Sequence, residues 1–156
     1  MRPLGYPRPM ALLRMDNVSI VVADLDAAVA FFTELGMELE GRASVEGPAV
    51  DGMVGLEGVR SDIAMMRMPD GHGRLELTKF QNPPALAAGA REANTLGISR
   101  IMFAVSDIDD ALARLESRGA ELVGRVEQYE DSYRLCYIRG PEGILLALAE
   151  SLGEGG

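Results

Sequence analysis

Residues 17–42, Asn-Val-Ser-Ile-Val-Val-Ala-Asp-Leu-Asp-Ala-Ala-Val-Ala-Phe-Phe-Thr-Glu-Leu-Gly-Met-Glu-Leu-Glu-Gly-Arg, return later in the chain as residues 100–125, which open Arg-Ile-Met-Phe-Ala-Val-Ser-Asp-Ile-Asp. Aligned without a gap, Val22 meets Val105, Asp24 meets Asp107, Asp26 meets Asp109, Ala28 meets Ala111 and Ala30 meets Ala113. The match continues through Gly36/Gly119, Glu38/Glu121, Leu39/Leu122, Gly41/Gly124 and Arg42/Arg125. A unit present twice falls short of a solenoid, which needs about three copies, and predicts one domain made of two similar halves.

Each copy has the same internal order. Residues 17–22 and 100–105 are short apolar runs bounded by turn signals, the mark of a buried strand. Asp24 or Asp26, and Asp107 or Asp109 in the second copy, can cap the helix that follows by accepting from free backbone N–H groups. Apolar residues then recur at helical spacing: Leu25, Ala28, Val29, Phe32 and Leu35, then Ile108, Ala111, Leu112 and Leu115. Gly36 and Gly119 stop the helices, and second strands start at Glu38–Arg42 and Glu121–Arg125.

The remaining segments complete the two units. Residues 43–61 predict a loop with a helical turn near Val50–Leu56. Residues 62–68 and 74–80 predict an antiparallel hairpin turned at Pro69-Asp70-Gly71. The second half repeats this with 132–139, the turn Gly140-Pro141-Glu142-Gly143, and 144–150. The fold class is therefore α+β: two tandem βαβββ modules forming a curled, eight-stranded mixed sheet, helices on its convex side and a concave pocket on the other. The domain spans 15–150, with module one at 15–80, a linker at 81–97 and module two at 98–150. Residues 1–14 (MRPLGYPRPMALLR) lack a signal peptide's apolar stretch and read as a loose arm, or as residues upstream of a start at Met10 or Met15. Residues 151–156 form a tail.

Composition narrows the function classes. The 156 residues carry 15 basic and 24 acidic side chains, a net charge of −9, which argues against nucleic acid or an anionic membrane surface as partner. No apolar run is long enough to span a bilayer. Cys136 is the single cysteine, so an internal disulfide is impossible, and a reducing, cytoplasmic setting is expected. Its apolar surroundings predict a buried, inert thiol. The lone His72 lies in a turn and is expected to be solvated. Neither a Gly-x-Ser-x-Gly elbow nor a phosphate loop is present.

The doubled strand–Asp-x-Asp–helix–Gly unit, with Pro-Asp-Gly and Pro-Glu-Gly ahead of the closing strands, resembles the vicinal oxygen chelate superfamily, which holds glyoxalases, extradiol dioxygenases, fosfomycin-resistance enzymes and bleomycin-binding proteins. The resemblance covers about residues 15–150. It implies a concave site where four ligands meet a divalent metal in the metal-dependent members. Those positions fall here on Asn17, Glu76, Arg100 and Ala147. Only Glu76 keeps the expected carboxylate; a cation repels a metal ion and alanine offers no lone pair. No metal or other cofactor is expected.

In place of a metal, an ion pair between Glu76 and Arg100 is predicted, either closing an emptied site or anchoring a ligand through Arg100. Strand alternation sets Ser19 and Val21 with Asn17, Thr78 with Glu76, and Met102 and Ala104 with Arg100. Tyr133 and Tyr137 share one strand face and could stack on a flat ligand. The methionines Met53, Met65, Met66, Met68 and Met102 would give soft walls or fill the core. The ligand-binding set is thus Asn17, Ser19, Glu76, Arg100, Met102, Tyr133 and Tyr137.

The function that follows is metal-independent binding of an apolar or aromatic small molecule, similar to the family's drug-sequestering, antibiotic-resistance branch. The resemblance also implies a homodimer. The alternative is a glyoxalase-like lyase or isomerase in which Glu76 is the catalytic base.

Overall fold

The structure is a computed structural model that describes residues 11–153; the first ten residues of the predicted arm and the last three of the tail lie outside it. Module one runs β1 (Val18–Val21), α1 (Leu25–Leu35), β2 (Glu38–Glu46), α2 (Pro48–Val54), β3 (Arg60–Arg67) and β4 (Arg74–Asn82). Module two runs β5 (Ile101–Ala104), α3 (Ile108–Glu116), β6 (Glu121–Leu122), β7 (Glu127–Tyr129), β8 (Tyr133–Arg139) and β9 (Leu145–Ser151).

The two modules share one topology. Sheet order is β1-β4-β3-β2 in the first and β5-β9-β8-β6 in the second, where β7 also pairs with β8. In each module the first strand lies parallel to the last, and the other pairings are antiparallel. The α+β, two-module reading holds. The described strands number nine rather than eight and form two mixed sheets, with no ladder joining β1 to β5. The extra strand comes from a break in the second strand of module two. From Leu122 to Glu127 the chain takes five steps while β8 takes three, Ile138 to Leu135. Two surplus residues bulge out around Gly124 and split β6 from β7.

The helix ends resolve the paired aspartates. Asp24 caps α1 by accepting from the Ala27 N–H at 3.0 Å, and Asp107 caps α3 by accepting from Asp110 at 3.1 Å. The second aspartate of each pair does other work. Asp26 meets Arg42 at 2.9 Å, and Asp109 takes both arms of the Arg134 guanidinium at 2.8 and 3.1 Å. That fork holds the Asp109 carboxyl below its ordinary range. Asp107→Ala should therefore cost about 1 kcal/mol, read as a lowered melting temperature, while Asp107→Ser, which keeps a capping oxygen, should cost much less. Equal losses in the two variants would deny the cap.

One core serves both modules. Phe32 on α1, Leu77 on β4, Ile108 and Leu115 on α3, and Leu148 on β9 are fully buried in a single cluster. Phe32 stands 6.5 Å, centroid to centroid, from Phe103 on β5, so the helices of the two halves meet over shared apolar surface. A polar tie crosses the same junction. The Ala23 N–H, just past β1, donates to Glu142 Oε1 at 2.8 Å from the turn between β8 and β9.

Candidate functional site

Alternation along the strands turns one side of each sheet into this core and sets the other side apart from it. On module one, Ser19 lies opposite Glu76 and Val21 opposite Thr78, on the face away from Ile20, Leu75 and Leu77. Thr78 Oγ1 donates to Glu76 Oε1 at 3.1 Å, and Ser19 Oγ lies 3.4 Å from Thr78 Oγ1. Since the Thr78 proton is committed to the carboxylate, Ser19 must be the donor in that second contact. The relay orients one oxygen of Glu76 and leaves the other open. Asn17 sits just ahead of β1, exposed.

Module two presents a different surface. The ladder aligns Met102, Ala147 and Tyr137 in one row, and Ala104, Ala149 and Leu135 in the next. The central alanines are covered by their taller neighbours: Ala147 is fully buried and Ala149 nearly so. The guanidinium of Arg100 lies over the Tyr137 ring, 5.1 Å from its centroid. A cation over a ring is held by the ring's electrons, so the contact does not use up the guanidinium's N–H donors. Tyr133 flanks the row, exposed, with Tyr129 opposite it on β7.

The predicted ion pair between Glu76 and Arg100 is not formed. They sit on separate sheets; Glu76 is engaged by Thr78 and Arg100 by Tyr137. Among the described residues, Arg60, Lys79 and Arg100 are the cations with neither an ion pair nor a side-chain hydrogen bond. The seven predicted ligand-binding residues therefore split into a module-one set, Asn17, Ser19 and Glu76, and a module-two set, Arg100, Met102, Tyr133 and Tyr137.

A cavity of about 710 Å³ opens between β1, the linker and the turn before β9. Of the predicted residues only Ser19 and Arg100 line it. The linker was read as a mere connection. Its role as a wall was missed, although Leu86 within it and Ile98 just past its end, apolar residues in a stretch without regular structure, were the available signal. Two arginines hold it in place: Arg91 donates to the Leu96 carbonyl at 2.6 Å, and Arg139 donates to the carbonyls of Arg91 at 2.5 Å and Gly143 at 3.1 Å.

The remaining singled-out residues lie elsewhere. His72 is exposed in its turn, where its backbone N–H donates to Asp70 Oδ1 at 2.9 Å. Cys136 is buried on the core face of β8, and desolvation pushes its thiol up, which makes the reactive thiolate scarce.

The donor set does not fit the divalent metal found in relatives of this fold. Of the four positions one is a carboxylate, already holding a hydroxyl; one is a cation; one is alanine. Among the described residues no three His, Cys, Asp or Glu side chains are grouped as a metal would need. No described helix is long and apolar enough to cross a membrane.

Comparison with known proteins agrees with this architecture. The model of the Glyoxalase/Bleomycin resistance protein/Dioxygenase superfamily matches residues 14–148. A glyoxalase family protein from Bacillus cereus, known from its crystal structure, is 56% identical, with a TM-score of 0.90, covering 95% of this chain and 100% of that one. Glyoxalase I of Saccharomyces cerevisiae is 29% identical over 153 residues, and the match spans 46% of that longer protein. The uncharacterized protein YaeR of Escherichia coli is 28% identical over 143 residues, covering 90% of this chain and 98% of YaeR.

Proposed function

Because this chain belongs to the Glyoxalase/Bleomycin resistance protein/Dioxygenase superfamily yet lacks the metal donors of its metal-dependent members, we propose that it is a metal-independent small-molecule-binding protein. It sequesters an apolar or aromatic compound on the open face of module two. The observation that carries this reading is the Arg100 guanidinium over the Tyr137 ring, with Met102 and Tyr133 exposed beside it. A flat ring would lie against the exposed Met102 and Tyr133, and an acidic or carbonyl oxygen would meet the exposed Arg100.

The working unit is a homodimer. Supporting this, β1 and β5 each pair on one side only, and an unpaired strand edge is a ready surface for a second chain. The free, buried thiol of Cys136 supports a cytoplasmic location.

One observation favours a second reading. The Ser19–Thr78–Glu76 relay orients a carboxylate on an otherwise open face, as a general base requires. In that case the protein is a lyase or isomerase in which Glu76 removes a proton next to a carbonyl.

Two measurements test these readings together. Elemental analysis, with melting curves in Ni²⁺, Zn²⁺, Mn²⁺ and Fe²⁺, should find no ion near one per chain and no rise in melting temperature, since a metal bound to the native state must stabilise it. A co-purifying, stabilising ion would overturn metal independence. Calorimetric titration with 2-naphthoate should show binding that Tyr137→Leu weakens several-fold and Glu76→Gln leaves within about twofold. Loss of a chemical rate in Glu76→Gln would instead favour the enzyme.

A further inference from the structure

We propose that the cavity between β1 and the linker is a second binding site, specific for an aliphatic carboxylate whose chain lies along the cavity wall and whose head group meets Arg100. The inference shares Arg100 as anchor with the function proposed above, but it does not depend on an aromatic ligand.

Three observations carry it. First, the volume of about 710 Å³ lies within the ordinary range for small-molecule sites, and among the described residues no Phe, Tyr or Trp side chain lines it. The walls are aliphatic, among them Val18 and Ile20 on β1, Ile101 on β5 and Ile144 before β9. Such walls suit a flexible acyl chain and offer a flat ring nothing to stack on. The tyrosine face of module two has the opposite character.

Second, the linker presents uncovered apolar side chains at this cavity. Leu86 is 94% exposed and Ile98 84% exposed, and both line it. The linker backbone is pinned by Arg91 and Arg139, so these side chains are held out in water beside an apolar hollow. An acyl chain in the hollow would remove them from water at small cost in ordering the backbone.

Third, the charge balance reverses here. The chain is net −9, yet the cavity is lined by three arginines, Arg91, Arg100 and Arg139, against two glutamates, Glu92 and Glu142. Arg91 and Arg139 are occupied by backbone carbonyls, and Glu142 by the Ala23 N–H. Glu92 is an exposed linker residue. Arg100 has no ion pair or side-chain hydrogen bond, and among the described residues of the wall it alone combines a positive charge with no polar partner.

The test is calorimetric titration of the full chain with hexanoate, octanoate and decanoate below their micellar concentrations. Affinity should tighten about two- to fourfold per added methylene. Arg100→Gln should weaken decanoate about tenfold, consistent with loss of a charge-assisted pair. Ile98→Asp should weaken it at least tenfold, and Leu86→Asp should act in the same direction. Both linker side chains are exposed, so the variants should keep the wild-type melting temperature. Tyr133→Ala should leave decanoate binding unchanged. Affinity that is flat with chain length, or untouched by Ile98→Asp, would overturn the site. So would failure of decanoate to bind while the protein is a dimer whose second copy fills the hollow. The two proposals fail separately. Binding of 2-naphthoate lost in Tyr137→Leu and kept in Ile98→Asp belongs to the tyrosine face, whereas the chain-length series belongs to the cavity.

Discussion

Phe32→Ala is expected to remove about 3–5 kcal/mol of folding stability, the range for deleting a fully buried aromatic side chain. For a chain of 156 residues that corresponds to a melting temperature lower by about 6–20 °C. Phe32 has no exposed surface, stands edge-on to Phe31 at 5.3 Å, and reaches Phe103 of module two at 6.5 Å. Its removal therefore opens a void where the halves meet, and neither half can fill it alone. Urea unfolding should show one transition at a lower midpoint. Met53→Ala, at a side chain 79% exposed, should change stability by less than about 0.5 kcal/mol. A Phe32→Ala loss below about 1 kcal/mol would mean that the two modules do not share a core.

Gly140→Ala is expected to destabilise by about 1–3 kcal/mol through overpacking. A Cβ built there would stand 2.8 Å from Leu146 Cδ1, 3.4 Å from Leu146 Cγ and 3.6 Å from Phe31 Cε1. A flexible side chain at the surface would swing aside, but Leu146 and Phe31 are both buried. The backbone conformation of Gly140 is ordinary, so the cost arises from crowding alone. Gly41→Ala, where an added Cβ meets nothing within 4 Å, is the control and should be close to neutral. If the two variants melted alike, the tight contact between α1 and the β8–β9 turn would be refuted.

The fold was legible because the chain repeats itself. Once Asp24 and Asp107 were aligned, each half supported the other's strand, cap, helix and stop. Boundaries were less legible. The second strand of module one was expected to end at Arg42 but continues to Glu46, because cross-strand pairing with β3 persists past the apolar pattern. The bulge between β6 and β7 was hidden as well, since it depends on register against β8, which local sequence does not encode.

The site was half legible. Period-two alternation grouped Ser19 with Glu76 and Thr78, and Met102 with Ala147, but set both groups around one pocket, whereas they lie on separate sheets. It could not say how the two faces are disposed, so Glu76 and Arg100 were paired on the strength of resemblance. The Arg100–Tyr137 stack escaped notice because it joins the start of β5 to β8 across β9, a neighbour relation that only the sheet order supplies.

The parallel pairing of each module's first strand with its last also sets a timetable for synthesis. β1 finds its partner only when Leu75 follows Val18 out of the ribosome, a separation of 57 residues (75 − 18). At about 5–20 residues per second, the nascent β1 waits on the order of 3 to 11 s with neither side paired. Module one can then close while module two is still being made, but Phe32 lacks its contact with Phe103 until that residue arrives. The newborn chain thus passes through a half-built stage with an apolar helix face open, and that stage, rather than the finished protein, is where a chaperone would have something to hold.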